Sequence, residues 1–462
     1  MKVYEDYTIY PSLWNKSIPS HWNVLPMYAV ASEKSICNCV DLPLLSVYLD
    51  VGVIPFSAKA EKRTNVTSMD LSKYQRVDSG DFVLNNQQAW RGSVGVSFYT
   101  GIVSPAYIVL SMNDLLNSKY ANYLFRTRIM VDQYLINSKS VGSIQRNIYW
   151  PTLKRTRVIV PPRDEQDQIV RFLDWKVSSI NKLISNYRHQ IALLDEMKQR
   201  RIDEAVVKGM RKSNLVHNDD IRWDIDYPEH WQIQRIRESF SFRKGLSITK
   251  ANLEETGIAV ISYGQVHSKK NSGVGLNEEL IRYVNESYLT TNQSCLVEKG
   301  DFIFADTSED VTGCGNCAYI DWDETLFAGY HSIIAHPDGS TNNKYLAYLF
   351  KSPTWRYQIR KKVNGVKVYS ITQKMLKDVF ILVPPINEQE EIISHLDEVC
   401  AKIDATIKKM EEKISNLKDL RIRLVADTVT GKIDVRDIEI PEYEFVNEES
   451  DSGEVVEEET DE

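Results

Sequence analysis

Cys314-Gly315-Asn316-Cys317 has the two-residue gap at which two thiolates can share one zinc ion, but a tetrahedral site needs two further ligands. The nearest candidates, His331 and His336, stand in an apolar, strand-like run, and the first half of the chain has no counterpart. The four residues therefore fit a loop with two buried thiols, and no metal site is expected. Thr430-Gly431-Lys432-Ile433 resembles the end of a phosphate-binding loop, yet Ala426 stands where its first glycine belongs and Ile433 where Ser or Thr belongs. There is no Gly-rich strand-to-helix fingerprint for a nucleotide and no Asn/Asp-Pro-Pro-aromatic motif of an amino-methyltransferase. The eight histidines form no set with Ser, Cys and Asp that reads as a triad, so no catalytic residue is assigned.

The positive signal is electrostatic. Residues 344–377 hold nine Lys or Arg and no Asp or Glu, interleaved with Tyr345, Tyr348, Trp355, Tyr357 and Tyr369. Residues 117–163 hold nine basic residues and one acidic residue, Asp132. Clustered cations with aromatic neighbours suit a phosphate backbone. Gln87-Gln88-Ala89-Trp90-Arg91, directly after an expected strand, offers amide forks and a guanidinium of the kind that pair with adenine and guanine edges. The candidate DNA-binding residues are thus Gln87, Gln88, Arg91, Lys139 and Arg146 in the first half, and Lys244, Arg360, Lys361, Lys362 and Lys367 in the second. The net charge of −8 does not oppose this, because twelve acidic residues and no basic ones lie in 438–462. Without that segment the balance is +4.

These residues must be positioned by a chain that is written twice. Val160-Pro161-Pro162-Arg163-Asp164-Glu165-Gln166 returns 223 residues later as Val383-Pro384-Pro385-Ile386-Asn387-Glu388-Gln389. Ile18-Pro19-Ser20-His21-Trp22 answers Tyr227-Pro228-Glu229-His230-Trp231, Gly80-Asp81-Phe82 answers Gly300-Asp301-Phe302, and Lys119-Tyr120 answers Lys344-Tyr345. Their offsets of 209, 220 and 225 differ, as expected of a shared scaffold carrying unlike surface loops. Alternating β-rich stretches at 80–84, 94–99 and 158–160 predict strands. Helices are expected to start at Asn117 and Asn342, whose side chains can cap the first N–H groups, and Pro353 is expected to end or kink the second copy.

Each Pro-Pro is followed by about forty residues of helical pattern. Leu173, Val177, Ile180, Ile184, Tyr187, Ile191 and Leu194 keep a 4,3,4,3,4,3 spacing, and Leu396, Cys400, Ile403, Ile407, Met410, Ile414 and Leu417 repeat it at the 223-residue offset. Such a heptad seam asks for a helical partner along its length, and the other copy is the nearest one. Forty residues of helix make a rod of roughly 60 Å. The expected fold class is α+β, with tandem mixed domains at 1–163 and 213–386 and long helices at 164–212 and 387–437. An acidic, disordered tail is expected at 438–462.

A chain of 462 residues with 42% hydrophobic and 26% charged content suits several folded domains. Six cysteines without a framework, no apolar run of eighteen residues and no secretory signal at the start place it in the cytoplasm, without a membrane partner.

The order of opening Pro-x-His-Trp, Gly-Asp-Phe, Pro-Pro-x-x-Glu-Gln and heptad helix, repeated and closed by Val429-Thr430-Gly431-Lys432-Ile433, resembles the specificity subunit of type I restriction-modification systems. The resemblance covers about residues 10–437. It implies that each globular half is a target-recognition domain for one half of a split DNA sequence. It also implies that the two helices pair antiparallel as a ruler. Implied partners are double-stranded DNA, two methyltransferase subunits and two restriction subunits that translocate DNA and cleave it. Implied cofactors are none in this subunit, with S-adenosylmethionine, ATP and Mg on the partners, and this subunit catalyses nothing. Two competing expectations are a coiled-coil adaptor that assembles proteins without reading DNA, and a zinc enzyme built on Cys314 and Cys317.

Overall fold

The computed structural model describes residues 2–10, 17–49, 51–58, 70–141, 145–217, 223–365 and 368–447. Two compact units emerge, and they are not the linear halves. One comprises Met1–His189 together with Met410–Glu462, and the other Gln190–Lys409.

The first unit is built around a four-stranded antiparallel sheet in the order Ala31–Lys34, Tyr107–Met112, Phe82–Asn85, Val94–Val96. Its central strand is buried on both faces, so the run Phe82-Val83-Leu84 is apolar without alternation. The period-two geometry sends Phe82 and Leu84 into the core beneath the helices and Val83 into a smaller cluster with Leu45, Val47, Val77 and Val109.

The second unit repeats the sheet as Phe240–Lys244, Ser332–Pro337, Phe302–Ala305, Cys317–Tyr319. Phe302 and Phe304 face its helices, while Ile303 and Ala305 face a separate cluster with Ile334. A five-stranded sheet follows the order Leu253–Glu254, Arg282–Val284, Ile258–Ile261, Leu326–Ala328, Leu296–Val297. Among the described residues the first unit has no such sheet.

The cap prediction holds in both copies. Asn117 accepts from the N–H groups of Lys119 and Tyr120 at the head of Ser118–Phe125, and Asn342 accepts from those of Lys344 and Tyr345 at the head of Asn343–Lys351. Both helices stop before a second one, Arg128–Ile136 or Pro353–Arg360. Pro353 does not kink the earlier helix. It occupies the first turn of the next, where its missing N–H costs nothing.

The long helices run Arg163–Lys208 and Ile386–Val429. Of the seam residues, Leu173, Ile180, Ile184, Leu396, Cys400 and Ile403 are buried. Val177, Tyr187, Ile191, Leu194, Ile407, Met410, Ile414 and Leu417 are half-buried. In the first unit Arg421 Nη1 donates to Asn181 Oδ1 at 2.8 Å, and in the second Lys198 Nζ sits 2.6 Å from Asp404 Oδ1. These are corresponding pairs, since 198 and 421, like 181 and 404, are 223 residues apart.

The repeated Glu-Gln of the Pro-Pro motif is a fastening. Gln166 accepts from Asn117 N at 2.7 Å and donates to Leu115 O and Pro161 O at 2.9 Å each. Gln389 accepts from Asn342 N and donates to Pro384 O, both at 2.8 Å. Glu165 pairs with His21 at 2.8 Å and accepts from the Tyr4 hydroxyl, while Glu388 takes His230 at 2.8 Å and the Trp231 indole N–H at 2.9 Å. Burial pushes the Glu388 carboxyl upward, but the bonds from Trp231 and His230 outweigh it and hold the group below its ordinary value. About two turns further along each long helix, Lys119 and Tyr123 share Asp174, as Lys344 and Tyr348 share Asp397.

Both long helices end at a glycine in the left-handed region, Gly209 (φ 74°) and Gly431 (φ 77°). A Cβ on Gly209 would meet Trp231 Cζ2 at 2.9 Å, and one on Gly431 would meet Pro19 Cδ at 2.4 Å. The phosphate-loop lookalike is therefore a helix end, and Lys432 pairs with Asp427 at 2.9 Å.

The tail boundary expected at 438 falls inside a described, held segment. Gln168 Nε2 donates to Val435 O and Ile438 O, and Ser178 Oγ donates to Glu444 O while accepting from Val446 N. The hydrogen bonds use the strap's backbone, which a composition argument does not register. Residues 448–462 lie outside the described residues.

Candidate nucleic-acid interface

The sequence-derived residues of the first half converge on one end of its sheet. After Phe82–Asn85 the chain turns, with Gln87 N donating to Asn85 Oδ1 at 3.0 Å, and closes a short 3-10 turn, Ala89–Arg91, on Gly92 (φ 109°). Ala89 is buried and anchors the turn, leaving Gln87 and Arg91 exposed and Gln88 half-buried. Trp90 donates to Gln87 O at 2.8 Å, and the Arg91 guanidinium lies 4.8 Å from the Trp90 ring centre. The cation is thus held over an aromatic face and presented outward.

Lys139 and Arg146 lie on a two-stranded ribbon, Ser138–Val141 with Gln145–Ile148, paired Lys139 with Asn147 and Ser140 with Arg146. That register puts the two cations on opposite faces of the ribbon. Ile148 N donates to Asn86 O at 2.9 Å, which fixes the ribbon beside the Gln87–Arg91 turn. Two-stranded ribbons fit the DNA major groove.

The second unit builds the same junction from different residues. Asp306 N donates to His331 O and Ile371 N to Asp306 O, where the first unit uses Asn86 N to Ala106 O and Ile148 N to Asn86 O. Thr307–Ser308 pairs with Tyr369–Ser370. Arg360 donates to Thr312 O, and burial depresses its guanidinium. Arg360 is therefore partly a structural tie, whereas Lys361 and Lys362 are exposed, the latter donating to Asp378 O at 3.3 Å. Lys367 lies outside the described residues.

Lys244, exposed at the end of its strand, borders a cavity of about 550 Å³ lined also by Asp306, Tyr330, His331, Gln373 and Lys374. Among these only Lys244 was expected from the sequence to bind DNA, and His331 was weighed there only as a metal ligand. His331 has φ 53°, an uncommon conformation for a non-glycine residue, and its Nδ1 stands 3.2 Å from Asp306 Oδ1. Tyr263 packs edge-on against Tyr330 and His331 at 5.5 and 5.4 Å. The signal available was position: Tyr330 and His331 follow Ala328-Gly329 where the first half has Ser104-Pro105-Ala106.

Cys314 and Cys317 are buried, and burial raises the Cys317 thiol to about 11. His336 is engaged by Asp301 at 2.6 Å and His331 by Asp306. Among the described residues no group of three or more His, Cys, Asp or Glu could hold a metal ion, and no helix is long and apolar enough to cross a membrane.

Two repeated mixed domains, each with a variable sheet-end junction and a long helix, define a class of tandem recognition proteins. The family model for the type I restriction modification DNA specificity domain matches residues 34–191 and 228–416, so the chain belongs to that family. It is 21% identical over 383 residues to the type I restriction enzyme MjaVIII specificity subunit of Methanocaldococcus jannaschii, covering 79% of this chain and 84% of the relative. It is 23% identical over 313 residues to the EcoKI specificity subunit of Escherichia coli, covering 64% of this chain and 62% of the relative. A solved structure described as the basis of complex assembly and conformational transition of the type I R-M system superposes with a TM-score of 0.64 at 15% identity. That match spans 90% of this chain and 99% of the other.

Proposed function

We propose that this chain is a sequence-specific DNA-binding subunit that recognises a bipartite target, one half-site per unit, and directs methyltransferase and restriction subunits to it. The observation that carries this is the paired junction. Homologous backbone ties, at Asn86 and at Asp306, support turns and cationic segments of different side-chain content. A common frame with unlike exposed donors and acceptors is what reading two different half-sites requires.

The two long helices pair antiparallel as a coiled coil that sets the gap between half-sites. The burial of Leu173, Ile180, Ile184, Leu396, Cys400 and Ile403 along the seam and the corresponding Arg421–Asn181 and Lys198–Asp404 contacts support this. The chain contributes recognition, and the chemistry resides on two methyltransferase and two restriction subunits with S-adenosylmethionine, ATP and Mg.

The test is to sequence the methylated adenines of a host with and without this gene. A split motif should vanish when the gene is removed, and an unchanged methylation map would refute the function. Lengthening both helices by matched turns should change the spacing within the motif. A constant spacing in well-folded variants would refute the ruler.

A further inference from the structure

The repeat breaks at one instructive place. Ser178, Asn181 and Lys182 of the first long helix correspond, at the 223-residue offset, to Ala401, Asp404 and Ala405 of the second. All three first-helix residues hold the strap 438–447. Ser178 Oγ takes Glu444 O and Val446 N at 2.9 and 2.7 Å, Asn181 Nδ2 donates to Val446 O at 3.2 Å, and Lys182 Nζ reaches Glu444 Oε2 at 3.4 Å. Ile438 and Ile440 pack against the first unit's core. This helix face is thus specialised to lead an extended chain along the unit.

The strap leads to a cavity. Phe445, Val446 and Asn447 form part of the wall of a space of about 380 Å³ also lined by Lys119, Arg126, Arg128 and Arg421. Among the described residues, the carboxylates beside these cations include Asp174, shared by Lys119 and Tyr123, and Asp132, 3.1 Å from Arg128. Arg126 donates to Leu49 O and Arg421 to Asn181 Oδ1. Beyond Asn447 come fifteen residues, 448–462, of which nine are Asp or Glu and none is Lys or Arg. At about 3.3–3.6 Å per residue, the chain can carry a carboxylate at 448, 449 or 451 no more than roughly 14 Å from Asn447.

We propose that the acidic segment 448–462 of this chain is the resident occupant of the cationic cavity formed by Lys119, Arg126, Arg128 and Arg421. Its place is argued from where the strap ends, from charge complementarity, and from the helix substitutions that hold the strap in one unit only. The proposal does not rest on DNA readout, so failure of either leaves the other standing.

The test uses the full chain and the same chain ended after Asn447, with a fluorescent peptide of residues 448–462 as probe. The peptide should bind the shortened chain at 50 mM salt. Binding should be at least tenfold weaker to the full chain, whose own segment competes, and at least tenfold weaker to a shortened Arg126→Glu/Arg128→Glu variant. Equal binding to the full and shortened chains, or indifference to the double variant, overturns the proposal. A short DNA duplex is the rival polyanion. If the duplex and not the peptide binds through these arginines, the proposal falls. Should the double variant not fold, hydrogen exchange decides: residues 119–132 should exchange at least threefold faster in the shortened chain, and unchanged rates count against the proposal.

Discussion

Alanine at Gly431 should be among the most damaging single-methyl additions in this chain. Two costs combine. Gly431 has φ 77°, and forcing an L-residue into the left-handed region costs roughly 1–2 kcal/mol. The added Cβ would lie 2.4 Å from Pro19 Cδ, 2.7 Å from Pro19 Cγ and 3.1 Å from Trp22 Cζ3, far inside the roughly 3.5–4.0 Å of ordinary carbon contact. Pro19 and Trp22 belong to the opening of the first unit and cannot withdraw as a flexible side-chain tip would. Overpacking of this kind adds about 1–3 kcal/mol, for a total of roughly 2–5 kcal/mol. Gly209 has the same strain (φ 74°) but a milder contact, 2.9 Å to Trp231 Cζ2, so Gly209→Ala should cost roughly 2–3 kcal/mol. Gly339 isolates the strain, having φ 81° and nothing within 4 Å of the added Cβ, and Gly339→Ala should cost about 1–2 kcal/mol. Urea unfolding of the three variants, followed by tryptophan fluorescence, reads the series directly. If all three lost the same stability, the close contacts would contribute nothing and the reasoning would be refuted.

Gln166→Ala should destabilise the first unit by roughly 2–5 kcal/mol, since it strands Asn117 N and two carbonyls, and Gln389→Ala the second unit by somewhat less, since one N–H and one carbonyl lose partners. The reverse order in urea midpoints would count against this assignment. Lys351 is depressed to about 8 by burial and by Arg356 and Lys198. Its unfolded value near 10.4 means the native state binds fewer protons between those pH values, so stability should rise with pH from about 8 to 10.5. Lys351→Met should accordingly stabilise by about 1–3 kcal/mol at pH 7, with the gain disappearing near pH 10.5. An equal gain at both pH values would show that the charge is not the cause. On the proposed function, Lys139→Ala/Arg146→Ala should flatten the salt dependence of DNA binding by up to about 1.8 in logarithmic slope. An unchanged slope would remove both residues from the phosphate contacts.

What the chain discloses without its structure depends on the range of the interactions involved. Asn117 and Asn342 could be read as helix caps because capping joins residues two or three apart. The Glu-Gln fastening was visible as a repeated pair, but its partners lie 49 and 144 residues away for Gln166 with Asn117 and Glu165 with His21, and no local pattern encodes such a distance. The five-stranded sheet of the second unit escaped notice because its strands are two to four residues long, too short to show a period, and Ile258–Ile261 with Leu326–Ala328 is a parallel pair brought together from far apart. Of the candidate interface, the Gln87–Arg91 turn was legible from amide and guanidinium content. Tyr330, His331, Gln373 and Lys374 were not, because only the junction at Asp306 makes them neighbours.

The division of the chain into Gln190–Lys409 and a unit made of both ends also orders events at the ribosome. The second unit is contiguous, so it can close as soon as its own residues have emerged. The first cannot. Tyr120 donates to Val429 O, Ile180 and Ile184 share a core with Leu424, and Asp434 N donates to Lys2 O, so its earliest residues wait for its latest. The interval between residues 189 and 410 takes roughly 10–45 s at translation rates of about 5–20 residues per second. During it an incomplete hydrophobic surface stands exposed while the second unit is being made, and that unit can close before the first receives its last residues. The unit encoded first is therefore finished last, and the order should appear as late acquisition of protease resistance by residues 17–189 in arrested nascent chains.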